Sequence, residues 1–350
     1  MANEIFVLAM AACLAGVLGW GFRTLPRENW QIAAAIPIAK ESSGHWRGLN
    51  LTYYGFFQAS AYTVGLAMMI VLLGAVHIPL RSIVVIAVLI LTCCIPASKL
   101  VARLVERKQA TFTVGGAVFA AVLFVPTALW FVNRFLAFWV GTVIPIAAGL
   151  AATAIAYALG EGIGRLACVS FGCCYGKPVS SVPPRLRGVF ARCNFVFAGG
   201  TKKIAYEGGL EGEPVIPIQG ITAVLYVALA LLSSLLFLHG QYRTALGVAF
   251  IGTQLWRMVS EVLRADYRGG GKISAYQIMA LLGAVLTLVG APALPADRLP
   301  HADIAAGLAL LWHPGVIIWL QGLWLLTFLY TGRSVVTAAT VSFHVHRDVV

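Results

Sequence analysis

The residues best suited to bind an anion lie near the end of one apolar segment. Arg257, Glu261 and Arg264 stand at positions i, i+4 and i+7, a spacing that places all three on one face of a helix. Ionisable residues are costly at membrane depth and usually mark a functional site there. A buried structural ion pair, the alternative, would need only one arginine. Two arginines around one carboxylate leave a positive charge, so this stripe predicts a site for an external anion.

A third arginine, Arg165, lies in a segment rich in glycine. Five glycines occur between Gly160 and Gly176, and Arg165 stands among them. Glycines let the backbone approach a ligand closely, and an arginine can bind a phosphate through two parallel hydrogen bonds. The alternative is an ion pair between Arg165 and Glu161 at i, i+4 that only caps the helix. Five glycines exceed what one cap needs, so we favour a binding role.

Single polar residues at the starts of predicted helices are weaker signals. Gln219 follows Pro217, and Gln277 follows Ser274 by three residues, so each glutamine is a candidate ligand but would also serve as a helix cap. Tyr53 and Tyr54 open another apolar segment, where paired tyrosines are typical of an aromatic belt at the membrane interface.

Four cysteines lie close together in sequence but lack the spacing of a metal site. The pattern Cys168-x4-Cys173-Cys174-x18-Cys193 has no paired CxxC motif of the kind that binds zinc, and it contains no histidine. We therefore predict a structural or incidental role and no metal, with a metal or redox role as the less favoured alternative. The whole set of seven cysteines does not suggest a secreted disulfide framework.

The composition indicates an all-α polytopic membrane protein. Of 350 residues, 60% are hydrophobic and only 11% are charged, whereas soluble domains carry about 25% charged residues. About 20 apolar residues in a helix span a bilayer, and about nine such segments occur. The predicted spans are Glu4–Phe22, Tyr53–Val76, Ile83–Val105, Thr111–Phe131, Leu136–Gly160, Ile221–Leu238, Thr244–Leu263, Ala275–Leu294 and Ile304–Thr331. The first has no Lys or Arg before its apolar run, so we interpret it as a retained helix rather than a signal peptide.

The basic residues are distributed unevenly across the predicted membrane. With nine spans, Arg81, Arg134, Arg243 and Arg298 fall on one side, and the remaining Lys and Arg fall on the other side or in the helix ends that reach it. The positive-inside rule would place this basic face in the cytoplasm. A basic face also attracts anionic lipid headgroups, so charge alone leaves the orientation open.

The order of these motifs resembles that of the prolipoprotein diacylglyceryl transferase family. The resemblance runs from about Tyr53 to Gln277, and the Arg-Glu-Arg-Asp string is its most specific part. The matching positions are, in chain order, Tyr54-Gly55, Gly115-Gly116, Gly164-Arg165, Gly172, Gly176-Lys177, Pro217-x-Gln219, Arg257-x3-Glu261-x2-Arg264-x-Asp266 and Gln277.

The resemblance implies a transferase that moves diacylglycerol from phosphatidylglycerol to a prolipoprotein lipobox cysteine, without a cofactor, metal or nucleic acid. Arg165, Arg257 and Glu261 would be the catalytic residues, with the arginines holding the phosphate and the acidic residues orienting the arginines. The expected substrate-binding residues are Tyr54, Gly115, Gly116, Gly164, Gly172, Gly176, Lys177, Gln219, Arg264, Asp266 and Gln277. Six of the residues, Tyr54, Gly116, Arg165, Gln219, Arg257 and Glu261, are expected to converge on one cavity.

The resemblance also implies a domain organisation and a location. Residues 51–297 would form a seven-helix transferase-like membrane core with an extramembrane insertion at 168–217. Residues 1–50 would add an N-terminal helix and basic loop, and residues 298–350 a C-terminal helix and tail. The family acts in the bacterial inner membrane with its site facing the periplasm, and we expect the same here.

Several family positions hold other residues in this chain. Val114 replaces the family histidine before the double glycine, and Cys168 and Cys173 replace an asparagine and a glutamate. Ile221 and Thr222 stand where the family has tyrosine and glutamate. Two alternatives therefore stay open: a transferase with another acceptor, or a membrane protein that binds or translocates lipid without chemistry.

Overall fold

The computed structural model describes residues 1–106, 114–266, 273–295, 299 and 301–349, and most of these are helical. In chain order the helices are α1 (Ala2–Thr24), α2 (Tyr53–Ala75), α3 (Leu80–Glu106), α4 (Val114–Phe131), α5 (Ala137–Val140), α6 (Ile146–Phe171), α7 (Pro184–Arg192), α8 (Lys203–Tyr206), α9 (Ile218–Leu238), α10 (Tyr242–Leu263), α11 (Ala275–Ala293), α12 (Ile304–Leu311) and α13 (Pro314–Thr331). The strands are β1 (Ile32–Lys40), β2 (Trp46–Thr52), β3 (Phe195–Val196), β4 (Pro214–Val215) and β5 (Arg333–Val341).

The predicted fold class, an all-α polytopic membrane protein, is confirmed. Eight helices in the described part of the chain are long and apolar enough to cross a membrane: α1, α2, α3, α4, α6, α9, α11 and α13. The ninth expected span corresponds to α10, which has 22 residues and packs against α6, α9 and α11. It is not among the eight, and Arg257 and Glu261 lower its apolar character.

Two predicted spans differ from the structure by more than three residues or by a break in the helix. The span expected at Leu136–Gly160 is α6, which begins at Ile146 after Pro145 and continues to Phe171. The span expected at Ile304–Thr331 is broken into α12 and α13, because Pro314 lacks the N–H that would continue the first helix. The expected start of α4, at residues 111–113, lies outside the described residues, as do Arg298 and the core boundary at residue 297.

The centre of the bundle is a close contact of α2 and α9 with α6. Many of the buried residues of α6 are alanine or glycine. A Cβ on Gly65 would lie 2.8 Å from the carbonyl oxygen of Ala156, so the α2 and α6 backbones nearly touch. Small residues allow such close approach between membrane helices, where packing rather than the hydrophobic effect holds helices together.

A three-stranded sheet lies outside the bundle, where a basic loop was predicted. β1 and β2 form an antiparallel hairpin, and β5 pairs with β2, so the sheet order is β1-β2-β5. The amide of Thr52 donates a hydrogen bond to the carbonyl oxygen of Gly332 at 2.9 Å. The sheet therefore joins the start of α2 to the end of α13.

The insertion begins at Gly172, because the first four residues of the predicted 168–217 segment belong to α6. It contains α7, α8 and the short β3–β4 pair. Gly176 forms an isolated antiparallel bridge with Arg264, and the amide of Lys177 donates to the carbonyl oxygen of Leu263 at 3.0 Å. The insertion is thus fixed to the end of α10, beside the predicted anion site.

Lys202 connects the insertion to the helical bundle through buried hydrogen bonds. Its side chain is completely buried, and Nζ donates hydrogen bonds to the carbonyl oxygens of Leu25 at 3.1 Å and Ser170 at 2.6 Å. Burial lowers the pKa of Lys202 to about 8, a change that the charge of Glu28 partly opposes. This lysine ties the insertion to the ends of α1 and α6.

Candidate active site

A cavity lies where α6, α9 and α10 meet the insertion. Its lining is unusually rich in arginine and polar side chains for a position inside an apolar bundle. The lining residues are Arg165, Cys174, Ile218, Gln219, Thr222, Tyr226, Arg257, Ser260, Glu261 and Arg264. Four of the six residues expected to converge, Arg165, Gln219, Arg257 and Glu261, therefore do share one cavity.

Arg257 is buried without a counter-ion among the described residues. It is 8% exposed, and its Nε and Nη1 atoms have no hydrogen-bond partner in this part of the chain. The salt bridges formed by the neighbouring carboxylates go to other arginines. A buried guanidinium without partners is costly, so Arg257 is the group best placed to receive an external anion.

Arg264, which directly follows the last residue of α10, is enclosed by carboxylates. Its Nε and Nη2 atoms donate to the two oxygens of Asp266 at 2.7 and 2.6 Å, and Nη1 lies 3.7 Å from Glu261. All three side chains are at least nine-tenths buried. Glu261 and Asp266 therefore orient Arg264, whereas neither forms an ion pair with Arg257.

Arg165 shows features of both roles considered for it, the helix-capping ion pair and the binding of a ligand. Its Nη2 atom forms the i, i+4 ion pair with Glu161, as the capping alternative required. Its side chain also lines the cavity, and its Nε atom has no hydrogen-bond partner among the described residues. The guanidinium is therefore held by Glu161 on one edge and keeps donor capacity on the other.

Gln219 connects the cavity to the cysteine turn. Its Nε2 atom donates to the carbonyl oxygen of Cys173 at 2.9 Å, and its buried Oε1 atom has no partner in the described chain. Since α9 begins at Ile218, this side chain belongs to the first turn of α9. It can therefore accept a hydrogen bond from a ligand while fixing the loop opposite.

The double glycine of α4 faces Arg257 from across the site. A Cβ on Gly115 would overlap the ring of Tyr276 and would lie 3.2 Å from Nη2 of Arg257. Gly116 is buried beside it, but it does not line the cavity. The bare backbone of Gly115 is thus what allows Arg257 and Tyr276 to pack against α4.

The other expected glycines shape the backbone around the cavity. Gly172 ends α6 in a left-handed conformation with φ 71°, and a Cβ on Gly176 would overlap the carbonyl oxygen of Ile216. Gly164 faces Gln58 and Ala61 of α2.

The structure does not bring Tyr54, Lys177 or Gln277 to the cavity lining. The ring of Tyr54 packs on Phe171, with ring centroids 5.7 Å apart, and Lys177 is exposed. Gln277 forms a capping box with Ser274, and its Nε2 atom donates to the carbonyl oxygen of Met258 at 3.1 Å. Gln277 thus adopts the capping arrangement that was the alternative to a ligand role.

Five lining residues were not predicted as site residues: Cys174, Ile218, Thr222, Tyr226 and Ser260. Tyr226 donates to the carbonyl oxygen of Thr253 at 2.8 Å, and Thr222 accepts from the indole N–H of Trp256 at 2.9 Å. Tyr226 lies two turns after Gln219 on α9, a spacing that could have indicated the shared face. Cys174 follows a glycine turn, and no sequence signal separates it from its neighbours.

The family model described as prolipoprotein diacylglyceryl transferase matches residues 44–292, which is more than half of the chain. No curated protein gives a significant match. The chain therefore belongs to the prolipoprotein diacylglyceryl transferase family, a family of membrane-embedded transferases, and α1, α12 and α13 lie outside the matched range.

Proposed function

From membership of this family and the geometry of the cavity, we propose that the protein transfers a diacylglyceryl group from phosphatidylglycerol to the lipobox cysteine of a prolipoprotein. The observation that carries the proposal is the buried Arg257, which lacks a counter-ion in the described chain. A phosphodiester would supply the missing charge and fill both free donor positions. Arg165, on the same cavity, would bind the headgroup from α6.

The two arginines act on the charge that develops during transfer. The acceptor sulfur forms a new C–S bond to the glycerol carbon, and the C–O bond to phosphate breaks, so glycerol phosphate leaves with the electron pair. Its phosphate gains negative charge as the bond breaks, and preorganised donors aimed at that charge lower the barrier. The thiol proton leaves the sulfur before or during attack and ends on solvent or on the departing phosphate.

Thiol activation must proceed without a histidine at the family position. Val114 occupies that position, and no histidine lines the cavity formed by the described residues. Cationic neighbours lower the pKa of a thiol from its usual value near 8.5. Arg165 and Arg257 would therefore increase the thiolate fraction of an acceptor bound beside them.

Arg165 and Arg257 would add positive charge to the basic face for a reason other than topology, namely the binding of an anionic headgroup. We therefore place the protein in the bacterial inner membrane with the cavity facing the periplasm, as expected from the family. The positive-inside rule favours the opposite orientation. Labelling a cysteine introduced at Lys177 with an impermeant thiol reagent, compared with the same protein without it, would decide between the two orientations. The exposed Cys13 and Cys193 are replaced in both proteins.

One observation favours a second candidate, a transferase with the same donor and a different acceptor. A thiol acceptor gains from a base, whereas the position of the family base is Val114 and that of the family glutamate is Thr222. An acceptor that arrives already ionised would need neither residue.

The test is release of glycerol phosphate from phosphatidylglycerol labelled in its headgroup. The purified protein is reconstituted in vesicles and assayed with and without a lipobox peptide. We expect release that requires the peptide and is lost in Arg257→Ala. Release without the peptide would favour another acceptor, and no release under either condition would contradict a transferase function.

A further inference from the structure

Three cysteine sulfurs meet at the turn that follows α6. Cys168 lies in the last turn of that helix, and Cys173 and Cys174 follow Gly172. The three Sγ atoms lie within 4.8 Å of one another, and those of Cys168 and Cys174 are 3.9 Å apart. All three are reduced. The linear spacing gave no zinc motif, so the cluster is a product of the backbone turn.

The backbone itself directs the sulfurs to one point. Gly172 has φ 71°, and Cys174 has φ 57°, a left-handed conformation that is rare and strained for a residue other than glycine. These two residues flank Cys173 and reverse the chain, so Cys174 folds back towards Cys168. Consecutive cysteines would otherwise point to different sides.

Hydrogen bonds of the backbone and of Gln219 hold this turn. The amides of Gly172 and Cys173 both donate to the carbonyl oxygen of Cys168, at 2.9 and 3.1 Å. The carbonyl oxygen of Cys173 accepts from Gln219 at 2.9 Å. The backbone of the turn that carries the three thiols is therefore fixed in advance of any ligand.

The spacing suits one thiophilic cation. A zinc–thiolate bond is about 2.3 Å long, so two thiolates on a tetrahedral zinc lie roughly 3.8 Å apart. Thiolates also select Cu⁺ over the harder divalent ions. The distance of 3.9 Å between the sulfurs of Cys168 and Cys174 already meets the tetrahedral spacing, and the sulfur of Cys173 lies within 4.8 Å of both.

We propose that Cys168, Cys173 and Cys174 form a three-thiolate binding site for a single Zn²⁺ or Cu⁺ ion. Binding replaces the three thiol protons with three metal–sulfur bonds and changes no oxidation state. Cys174 lines the cavity with Arg165, so an open coordination position would face the cavity, and the arginine would offset the negative charge of the thiolates. The site does not depend on which reaction the cavity performs.

Metal binding is measured directly on the detergent-solubilised full chain. The protein is reduced with a phosphine, freed of metal with a chelator, and titrated with Cd²⁺, whose bonds to sulfur give an ultraviolet charge-transfer band. Zn²⁺ is then allowed to compete, and the metal retained after desalting is quantified by elemental analysis. We expect one ion per chain and displacement of Cd²⁺ by excess Zn²⁺.

Single serine substitutions identify the ligands. Cys168→Ser, Cys173→Ser and Cys174→Ser should each weaken Cd²⁺ binding more than tenfold. Cys93→Ser in α3 and Cys193→Ser after α7 are matched controls and should bind as the wild type does. Unchanged binding in the three cluster variants would overturn the proposal. A reduced wild-type protein that retains no metal would also overturn the proposal. If that protein then rapidly forms a disulfide between Cys168 and Cys174, the two cysteines are a redox pair instead.

Discussion

Arg257 lies on α10 and Arg264 directly follows the last residue of that helix, yet the surroundings of the two arginines are opposite. Arg264 is enclosed by Glu261 and Asp266, with a bidentate pair at 2.6–2.7 Å. Arg257 is equally buried, and two of its nitrogens lack a partner in the described chain. The ion pairs of Arg264 stabilise the structure, whereas the nitrogens of Arg257 that lack a partner can donate hydrogen bonds to a ligand. A charged stripe in a membrane helix thus contains both a structural residue and a ligand-binding residue.

The strongest test of this contrast is removal of the structural arginine. Arg264→Ala leaves Glu261 and Asp266 buried without their partner, which should lower the free energy of unfolding by about 3–5 kcal/mol. Arg257→Ala removes a buried charge that has no counter-ion, so it should leave stability unchanged or slightly higher. Thermal unfolding of both variants in the same detergent measures the difference. Equal destabilisation by the two substitutions would show that the two arginines have the same role.

The complementary test changes the ligand-binding arginine and measures activity. Arg257→Lys should reduce phospholipid turnover about 10²- to 10³-fold, nearly as much as Arg257→Ala, because lysine keeps the charge but loses the planar fork that binds two oxygens. Arg243 at the other end of α10 donates to the carbonyl oxygen of Leu294. Arg243→Lys is therefore the matched control and should retain activity. Full activity in Arg257→Lys would mean that only the positive charge matters.

Lys202 is a third buried cation, held by carbonyl oxygens instead of carboxylates. Its pKa is lowered to about 8 from a usual value of 10.5, so between these values the unfolded chain binds more protons than the folded chain. Stability contributed by this residue should therefore rise as the pH increases from about 8 to 10.5, by at most about 3 kcal/mol. Thermal unfolding of the wild type and Lys202→Gln between pH 7 and pH 10.5 measures the difference. A difference between them that is independent of pH would contradict this assignment.

Substitution of Gly115 tests whether turnover depends on the position of Arg257 as well as on its charge. A Cβ there would overlap the buried ring of Tyr276 and crowd Nη2 of Arg257, and overpacking of this kind costs about 1–3 kcal/mol. We expect Gly115→Ala to lower turnover about tenfold while the charge in the cavity is unchanged. Gly247→Ala on α10, where a Cβ meets no atom within 4 Å, is the control. Equal activity in the two variants would show that α4 does not position Arg257.

The smallest effect is expected for the histidine nearest in sequence to Tyr54. His45 is exposed between β1 and β2, and its Nδ1 atom lies 3.3 Å from Ser43. His45→Ala should retain most activity, and Val114→His should not abolish it. Loss of turnover in a folded His45→Ala protein would place the general base in that hairpin.

The sequence predicted the features that follow from local composition. Hydropathy located the helices, and the i, i+4, i+7 spacing located the charged face of α10. The sequence did not predict β1, β2 and β5 as a sheet, because its outer strand pairs with residues about 290 positions earlier. It also did not distinguish Arg257 from Arg264, since that difference depends on how Glu261 and Asp266 turn at the end of α10. The cysteine cluster depends on the left-handed conformation of Cys174, which has no sequence signal.

The measurement that tests the central claim most directly is lipid binding by Arg257 variants. Purified wild-type protein, Arg257→Ala and Arg243→Lys are incubated with vesicles containing phosphatidylglycerol and phosphatidylcholine, and the lipid retained by each is quantified after detergent extraction. We predict that the wild type and Arg243→Lys retain phosphatidylglycerol in preference to phosphatidylcholine, and that Arg257→Ala loses this preference. Retention of the same preference by a folded Arg257→Ala protein would contradict the assignment of the cavity to an anionic phospholipid.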